Sequence, residues 1–143
     1  MKQFIFLFAT GLCAMGAQAQ KLSPSKVPAP VKATMQQQYP AVQKINWEKE
    51  NGHYEAGFVA QAKHCSVLLD ATGAVLETEV EITKEALPAT AKAYLLKYYP
   101  GIPVKEAATI TDAKGIVTYE AEVKGADLIF DNKGQFIKKI TNQ

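Results

Sequence analysis

Arginine is absent from this sequence, and histidine and cysteine are scarce. All 16 basic residues are lysine, against 14 acidic residues, two histidines and two cysteines. The forked guanidinium group of arginine is the side chain that best grips phosphates and guanine edges, and a nearly neutral chain has little general attraction for a polyanion. We therefore expect no nucleic-acid partner.

Long apolar runs are missing after the N-terminal region. The first 19 residues hold one lysine, Lys2, then an apolar stretch that begins at Phe4, and they end with the small-x-small sequence Ala17-Gln18-Ala19. This is the pattern of a cleaved export signal, and the apolar stretch is shorter than the roughly 20 residues that span a membrane. We predict cleavage near Ala19, a periplasmic or secreted protein, and no membrane insertion after cleavage.

Motifs for catalysis, cofactor binding and metal binding are also missing. After the export signal the only cysteine is Cys65, for which burial as a small apolar residue is favoured over a metal or redox role or an intermolecular disulfide. His53 and His64 are expected at opposite ends of one hairpin, roughly 20 Å apart, which is too far to share a metal. No glycine elbow surrounds Ser66, and glycine motifs for phosphates and dinucleotides do not occur. The sequence therefore predicts no enzyme activity, no cofactor and no catalytic or metal-ligating residues.

An internal duplication is the main positive feature of the sequence. With a shift of 60 residues, VPAPVKATMQQQYP at 27–40 aligns with LPATAKAYLLKYYP at 87–100. Both segments have apolar residues at four-residue spacing, proline in the first turn and proline at the end, which predicts two equivalent amphipathic helices. After each segment the apolar residues alternate with polar ones between glycine turns, which predicts about four antiparallel strands. The predicted fold class is therefore α+β, with two tandem α-β4 repeats.

These features divide the chain into four parts. We predict a signal peptide at 1–19, a flexible lead-in at 20–26, a first repeat at 27–82 and a second repeat at 83–143. The two repeats are expected to form one compact domain over 27–141.

Two short segments could be read either as cation-binding loops or as turns. They are LDATGAVL at 69–76 and FDNKGQFI at 130–137. A calcium loop of the EF-hand type needs oxygen ligands at alternate positions and a distal glutamate, which neither segment supplies. Aspartate followed three residues later by glycine is instead typical of a type I turn that ends in a left-handed residue. We predict that these segments are turns.

Carboxylates in an alternating pattern form the candidate functional feature. Glutamate occupies every second position along 77–81 and 120–122, so these side chains project from one sheet face while the apolar residues between them face the helices. Thr109, Thr111 and Thr118 are expected on the same face as the glutamates. The alternatives are an ordinary solvated face, charged against edge-to-edge association, a docking surface for a partner with positive patches, or a cation site.

Trp47 also has two interpretations. It is either part of the core beneath the first helix or a contact anchor on the rim of the sheet. The candidate binding residues on an exposed sheet face are Trp47, Glu55, Glu77, Glu79, Glu81, Glu120 and Glu122.

The helices that end in Tyr-Pro and the segment GADLIFDNKGQFIKKI at 125–140 resemble the PepSY-like exported proteins, a group described as β-lactamase-inhibitor-like in fold. The first copy is the weaker match, because His64, Leu69 and Val75 stand at three of the five motif positions. The motif positions in the second copy are held by Gly125, Phe130, Asp131, Gly134 and Phe136.

The resemblance implies one curved antiparallel sheet of about eight strands, with helices packed on its convex face and an open concave face. It implies no catalytic residues, and it implies binding through the open face. We therefore expect an exported, non-enzymatic protein that binds or inhibits another envelope protein or a peptide. The alternative is an envelope protein that responds to a divalent cation or a small ligand, and a hydrolase would require a cleft with two close titratable groups.

Overall fold

One antiparallel sheet forms the body of the protein. The structure is a computed structural model that describes residues 20–141, so the predicted signal peptide at 1–19 lies outside the described residues. Within this range nine strands follow one another in space in the same order as in the chain. The strands are β1 (Gln20–Leu22), β2 (Asn46–Glu50), β3 (His53–Ala60), β4 (Lys63–Leu69), β5 (Val75–Ile82), β6 (Glu106–Asp112), β7 (Val117–Val123), β8 (Ala126–Phe130) and β9 (Phe136–Thr141), and the helices are α1 (Ala29–Gln38) and α2 (Ala89–Tyr98).

Both helices begin directly after a proline and end next to a Tyr-Pro pair. Helix α1 follows Pro28 and α2 follows Pro88. Proline already has the backbone angle that opens a helix, and its missing N–H would have no partner in the first turn. At the other end the chain leaves the helical conformation at Tyr39 and Tyr99, each followed by a proline that cannot continue the helix. The two predicted helices are confirmed.

The described residues form nine strands rather than about eight, because the predicted flexible lead-in at 20–26 contains regular structure. Strand β1 pairs antiparallel with β2, with Leu22 opposite Trp47. Leu22 is half-buried against the core beneath α1, which gives this short edge strand an apolar anchor. Residues Pro24–Lys26 form a short 3-10 helix before α1.

Two hydrophobic clusters join the helices to a single face of the sheet. Val31 and Met35 of α1 are fully buried in the first cluster, and Ala91 and Leu95 of α2 occupy the same positions in the second. The strand register places both clusters on the same side, and the opposite side carries no helix within residues 20–141. The strand residues of the clusters are Trp47, Tyr54, Ala56, Phe58, Val67 and Leu69, and then Ala107, Ala121, Val123, Ala126, Leu128 and Phe130.

The turns after β4 and β8 pack directly on the helices. Gly73 has φ +84°, and a side chain there would place Cβ 2.7 Å from the backbone oxygen of Pro30. Gly134 has φ +79°, and its Cβ would lie 2.7 Å from Cβ of Pro88. Only glycine combines this left-handed conformation with such a close approach. These two turns therefore hold the helices against the sheet.

Candidate functional site

The uncovered face of the sheet carries most of the carboxylates in the protein. Cross-strand pairing puts Glu48 opposite Glu55, and Glu106 opposite Glu122. Of the 14 acidic residues in the sequence, all but Asp70, Glu85 and Asp131 lie on this face. We call the following set the acidic face: Glu48, Glu50, Glu55, Glu77, Glu79, Glu81, Glu106, Asp112, Glu120, Glu122 and Asp127.

Positive charge is sparse on the same surface. Among the paired strand positions of residues 20–141, the lysines on this side are Lys21, opposite Glu48, and Lys138, opposite Ile129. Lys105 lies next to β6 and forms an ion pair with Glu122 at 3.1 Å. The protein as a whole is nearly neutral, but its negative charges are concentrated on this face of the sheet.

The centre of the acidic face is buried, contrary to the predicted exposed surface. Glu55 is 7% exposed and Glu79 is 5% exposed. Leu68, Ala108 and Ile129 on the same face are also buried, so side chains on neighbouring strands cover the centre of this face. The predicted site residues Glu77, Glu81, Glu120 and Glu122 are half-buried. The acidic face is thus a depression with a buried floor and a more accessible rim.

Trp47 does not belong to this face. Its side chain is buried on the helix side, where it packs in the α1 cluster. The core interpretation of Trp47 is therefore confirmed, and its assignment to the candidate site was wrong. Thr109 and Thr111 also lie on the helix side, opposite Tyr119 and Val117, and only Thr118 shares the side of the glutamates.

Burial raises the pKa of the carboxyl groups in the depression. The pKa of Glu55 is raised to about 8, mainly because the group is desolvated and further because Glu48 and Glu50 lie nearby. Desolvation likewise raises the pKa of Glu120 to about 8, and the negative charge of Asp127 is the next largest cause. At neutral pH these two groups are therefore mostly protonated when no cation is present.

Glu79 lies between these two groups and is the most deeply buried of the three. Desolvation raises its pKa well above the ordinary value of 4.5, and the charges of Glu120 and Glu55 add to the effect. Several carboxyl groups thus share one poorly hydrated region. Their ionisation is coupled, so a cation entering the region would favour loss of protons from the group as a whole.

The rim and the floor differ in their hydrogen bonds. On the rim, Glu81 accepts a hydrogen bond from the backbone N–H of His64 at 3.1 Å, and Glu122 is paired with Lys105. On the floor, Glu55 and Glu79 accept no hydrogen bond and form no ion pair with any residue in 20–141. Glu81 and Glu122 are thus satisfied internally, whereas Glu55 and Glu79 have neither a hydrogen bond nor an ion pair within the described residues.

A cavity of about 880 Å³ opens at one end of the acidic face. Its polar lining includes Glu55, Ser66 and Glu79, and its apolar lining includes Val42 and Ile45 from the segment between α1 and β2. The lining also includes Trp47 and Phe58 of the helix side, so only part of this volume lies on the acidic face. Sequence reasoning did not identify this cavity.

The aspartate turns are confirmed as turns. Oδ1 of Asp70 accepts hydrogen bonds from the backbone N–H groups of Thr72 at 2.8 Å and Ala74 at 3.1 Å. Oδ1 of Asp131 accepts them from Lys133 at 2.9 Å and Gln135 at 2.8 Å. Within residues 20–141 no group of three or more His, Cys, Asp or Glu side chains is arranged to hold a metal ion.

Several members of the acidic face were missed at the level of sequence. Glu48 and Glu50 occupy alternate positions in β2, a pattern that predicts one shared face of the sheet for their side chains. Asp127 lies in the apolar segment ADLIF, and its position opposite Glu122 becomes clear only from the register. Ser66, which is 7% exposed, was considered only as a nucleophile.

A family model described as "Putative beta-lactamase-inhibitor-like, PepSY-like" matches residues 14–77 and again 53–138. The chain belongs to this PepSY-like family. The resemblance seen in the residues is therefore confirmed over most of the chain. No curated protein matches the sequence.

Solved structures from Bacteroides share the fold of this PepSY-like protein. A "putative periplasmic" protein of Bacteroides eggerthii has a TM-score of 0.73 at 15% identity, over 80% of this chain and 88% of that one. A DUF2874 family protein of Bacteroides uniformis has a TM-score of 0.71 at 19% identity, with the same coverage. A BLIP-like protein of Bacteroides fragilis has a TM-score of 0.64 at 22% identity, over 81% of this chain and 89% of that one. At these identities the similarity establishes the fold.

Each helix of this PepSY-like protein has ten residues. Between residues 20 and 141 neither helix is long and apolar enough to cross a bilayer.

Proposed function

We propose that this PepSY-like protein is exported, has no catalytic activity, and binds or inhibits another protein or a peptide through the acidic face. We also propose that its two halves are tandem copies of one α-β4 unit, since a 3-10 helix, an α-helix and four strands follow one another twice in the chain. The observation that carries the functional proposal is the concentration of carboxyl groups on the side of the sheet that neither helix covers.

The charge of this face selects the kind of partner. A concave surface rich in carboxylates attracts a surface rich in lysine and arginine, and it repels acidic ones. The half-buried rim residues Glu77, Glu81 and Glu122 remain accessible enough to meet such a partner. Membership of a family described as inhibitor-like supports a partner that is itself a protein.

Site-specific photocrosslinking in living cells tests this proposal. A photoreactive amino acid is placed at Ile110 or Thr118, which lie at the centre of the acidic face, and at Leu96 as a control. Leu96 is 77% exposed on α2, so it reports contacts on the opposite side of the sheet. We expect a crosslinked protein from Ile110 and Thr118 that is absent from Leu96.

Charge reversal makes the test specific. Glu122→Lys alters a half-buried rim residue, and it should weaken the crosslink from Thr118 while leaving the folded protein intact. Crosslinks that form equally well from Leu96, or that ignore the reversal, would argue against binding through the acidic face.

A response to a divalent cation or a small ligand is the second candidate. The shared, poorly hydrated region around Glu79 and Glu120 favours it, since a cation there would relieve their mutual repulsion. A ligand that binds only the folded state raises the melting temperature. Melting curves with and without millimolar calcium or magnesium therefore test the response to a cation, and an unchanged midpoint with both ions removes that response.

A further inference from the structure

The cavity at the end of the acidic face combines three buried polar side chains that nothing in the described fold satisfies. Glu55, Ser66 and Glu79 are each more than nine-tenths buried and all line the cavity. None of the three has a hydrogen bond or an ion pair within residues 20–141. Their oxygen atoms are not sealed off from solvent, so a ligand in the cavity could reach them and supply the missing hydrogen bonds.

The strand register brings these three side chains together. Ser66 lies directly opposite Glu79 on the neighbouring strand β5, and Glu55 projects from β3 on the other side of β4. Two carboxyl groups thus flank a hydroxyl group, and all three face the same space. Since Ser66 is not acidic, its unpaired hydroxyl is evidence for a ligand that is independent of the clustering of charge.

The chemistry of the lining selects an organic cation rather than a metal ion. The residues are not arranged as a metal site within 20–141, and the cavity of about 880 Å³ is far larger than a single ion requires. Val59, which projects on the same side of the sheet as Glu55 and Ser66, also lines the cavity. An apolar side chain beside the carboxyl groups fits a ligand with an aliphatic stem and a cationic end.

Guanidinium fits this floor better than ammonium does. It is planar, it presents five N–H donors in a fixed fork, and it is less strongly hydrated, so its burial costs less. Such a fork can donate to two carboxyl groups at once and leave a donor for a hydroxyl. Lys21 and Lys44 also line the cavity, but neither is ion-paired with Glu55 or Glu79.

We propose that this cavity is the subsite for an arginine side chain of the partner, with the guanidinium group held between Glu55 and Glu79 and hydrogen-bonded to Ser66. The inference rests on the proposed binding function and names the chemical group that the partner inserts.

Titration with small arginine derivatives tests the inference on the protein itself. N-acetylarginine methylamide is the probe, and the citrulline compound, which is nearly the same shape but uncharged, is its control. Binding is followed by NMR at pH 8.5, where the floor carboxyls ionise most readily. We expect saturable shifts at β3, β4 and β5 with the arginine compound, and binding about tenfold weaker or worse with the citrulline compound.

Three variants locate the subsite. Glu55→Gln and Glu79→Gln should each weaken binding of the arginine compound by about tenfold. Glu77→Gln is the matched control, because Glu77 lies on the same strand and face as Glu79 but outside the cavity lining. Ser66→Ala makes a smaller change, which keeps the inference testable if a glutamine variant folds poorly, and it should also weaken binding.

The outcomes separate this inference from the proposed function. Equal binding of arginine and citrulline compounds, or no difference between Glu79→Gln and Glu77→Gln, overturns the arginine subsite. If that happens while Ile110 still crosslinks to a partner, the acidic face binds its partner by other contacts. If the arginine compound binds at the cavity but no crosslink forms from Ile110 or Thr118, the subsite stands and the proposed protein partner does not.

Discussion

Replacing Glu55 by glutamine should stabilise the protein, and the gain should grow with pH. The pKa of Glu55 is raised from 4.5 to about 8, mainly by burial. The folded protein therefore holds a proton on Glu55 over a pH range in which the unfolded chain has already lost it. Linkage then requires the contribution of Glu55 to the free energy of unfolding to be greatest below about pH 4.5 and to fall as pH rises towards 8.

The size of the effect follows from the distance between the two pKa values. Between pH 4.5 and 8 each pH unit removes about 1.4 kcal/mol of stability. The cost of the ionisable group is therefore about 3 kcal/mol at pH 7 and about 5 kcal/mol above pH 8. Glutamine has nearly the same shape and never ionises, so Glu55→Gln should avoid this cost.

Urea unfolding of the wild type and Glu55→Gln at pH 4, 7 and 9 measures the difference. We expect nearly equal stability at pH 4 and an increasing advantage for Glu55→Gln at pH 7 and 9. Glu85→Gln is the control, since Glu85 is exposed beside α2 and off the acidic face, and it should change stability by less than about 0.5 kcal/mol throughout. A loss of stability in Glu55→Gln at pH 7, or an advantage that does not depend on pH, would refute the reasoning from burial.

Three further changes test the packing. Gly134→Ala should lower the free energy of unfolding by about 3 kcal/mol, because its Cβ would meet α2. Gly115→Ala is the control and should cost only about 1 kcal/mol, because Gly115 has the same left-handed conformation with nothing within 4 Å. Equal costs in urea unfolding would contradict the docking of the turn on α2. Met35→Ala should lower the free energy of unfolding by about 2 to 5 kcal/mol because Met35 is fully buried, and a loss below 1 kcal/mol would show that the core beneath α1 is not as described. Cys65 in the folded protein should react with iodoacetamide at pH 8 more slowly than a free thiol does, because burial raises the pKa of its thiol. In urea the reaction should reach the rate of a free thiol. Equal rates with and without urea would show that the thiol is exposed in the folded protein.

The buried carboxyl groups at the centre of the acidic face lower the stability of the folded protein. A carboxyl group buried without a partner costs free energy, and a neutral residue of similar shape would be more stable there. The raised pKa values of Glu55 and Glu120 mark the same region that the geometry identifies. A partner that supplies positive charge would recover the lost free energy on binding.

Local features of the sequence were sufficient to predict the two helices, the aspartate turns and the existence of two different sheet faces. The prolines at both ends of each helix, the four-residue apolar spacing, and the Asp-x-x-Gly turns act over a few residues, so their structural consequences can be predicted from those residues alone. The alternation of glutamates along β5 and β7 likewise required no knowledge of the rest of the chain.

Only the tertiary structure decided which residues of the acidic face are buried and where Trp47 lies. An alternating pattern separates two faces but does not say which side chains on a face cover one another, and this packing determines that Glu55 and Glu79 form a floor while Glu122 stays on the rim. The pairing of β1 and the cavity beside Ser66 depend on contacts between segments far apart in the chain. Exposure is a property of neighbours in space, and those neighbours exist only once all nine strands have assembled.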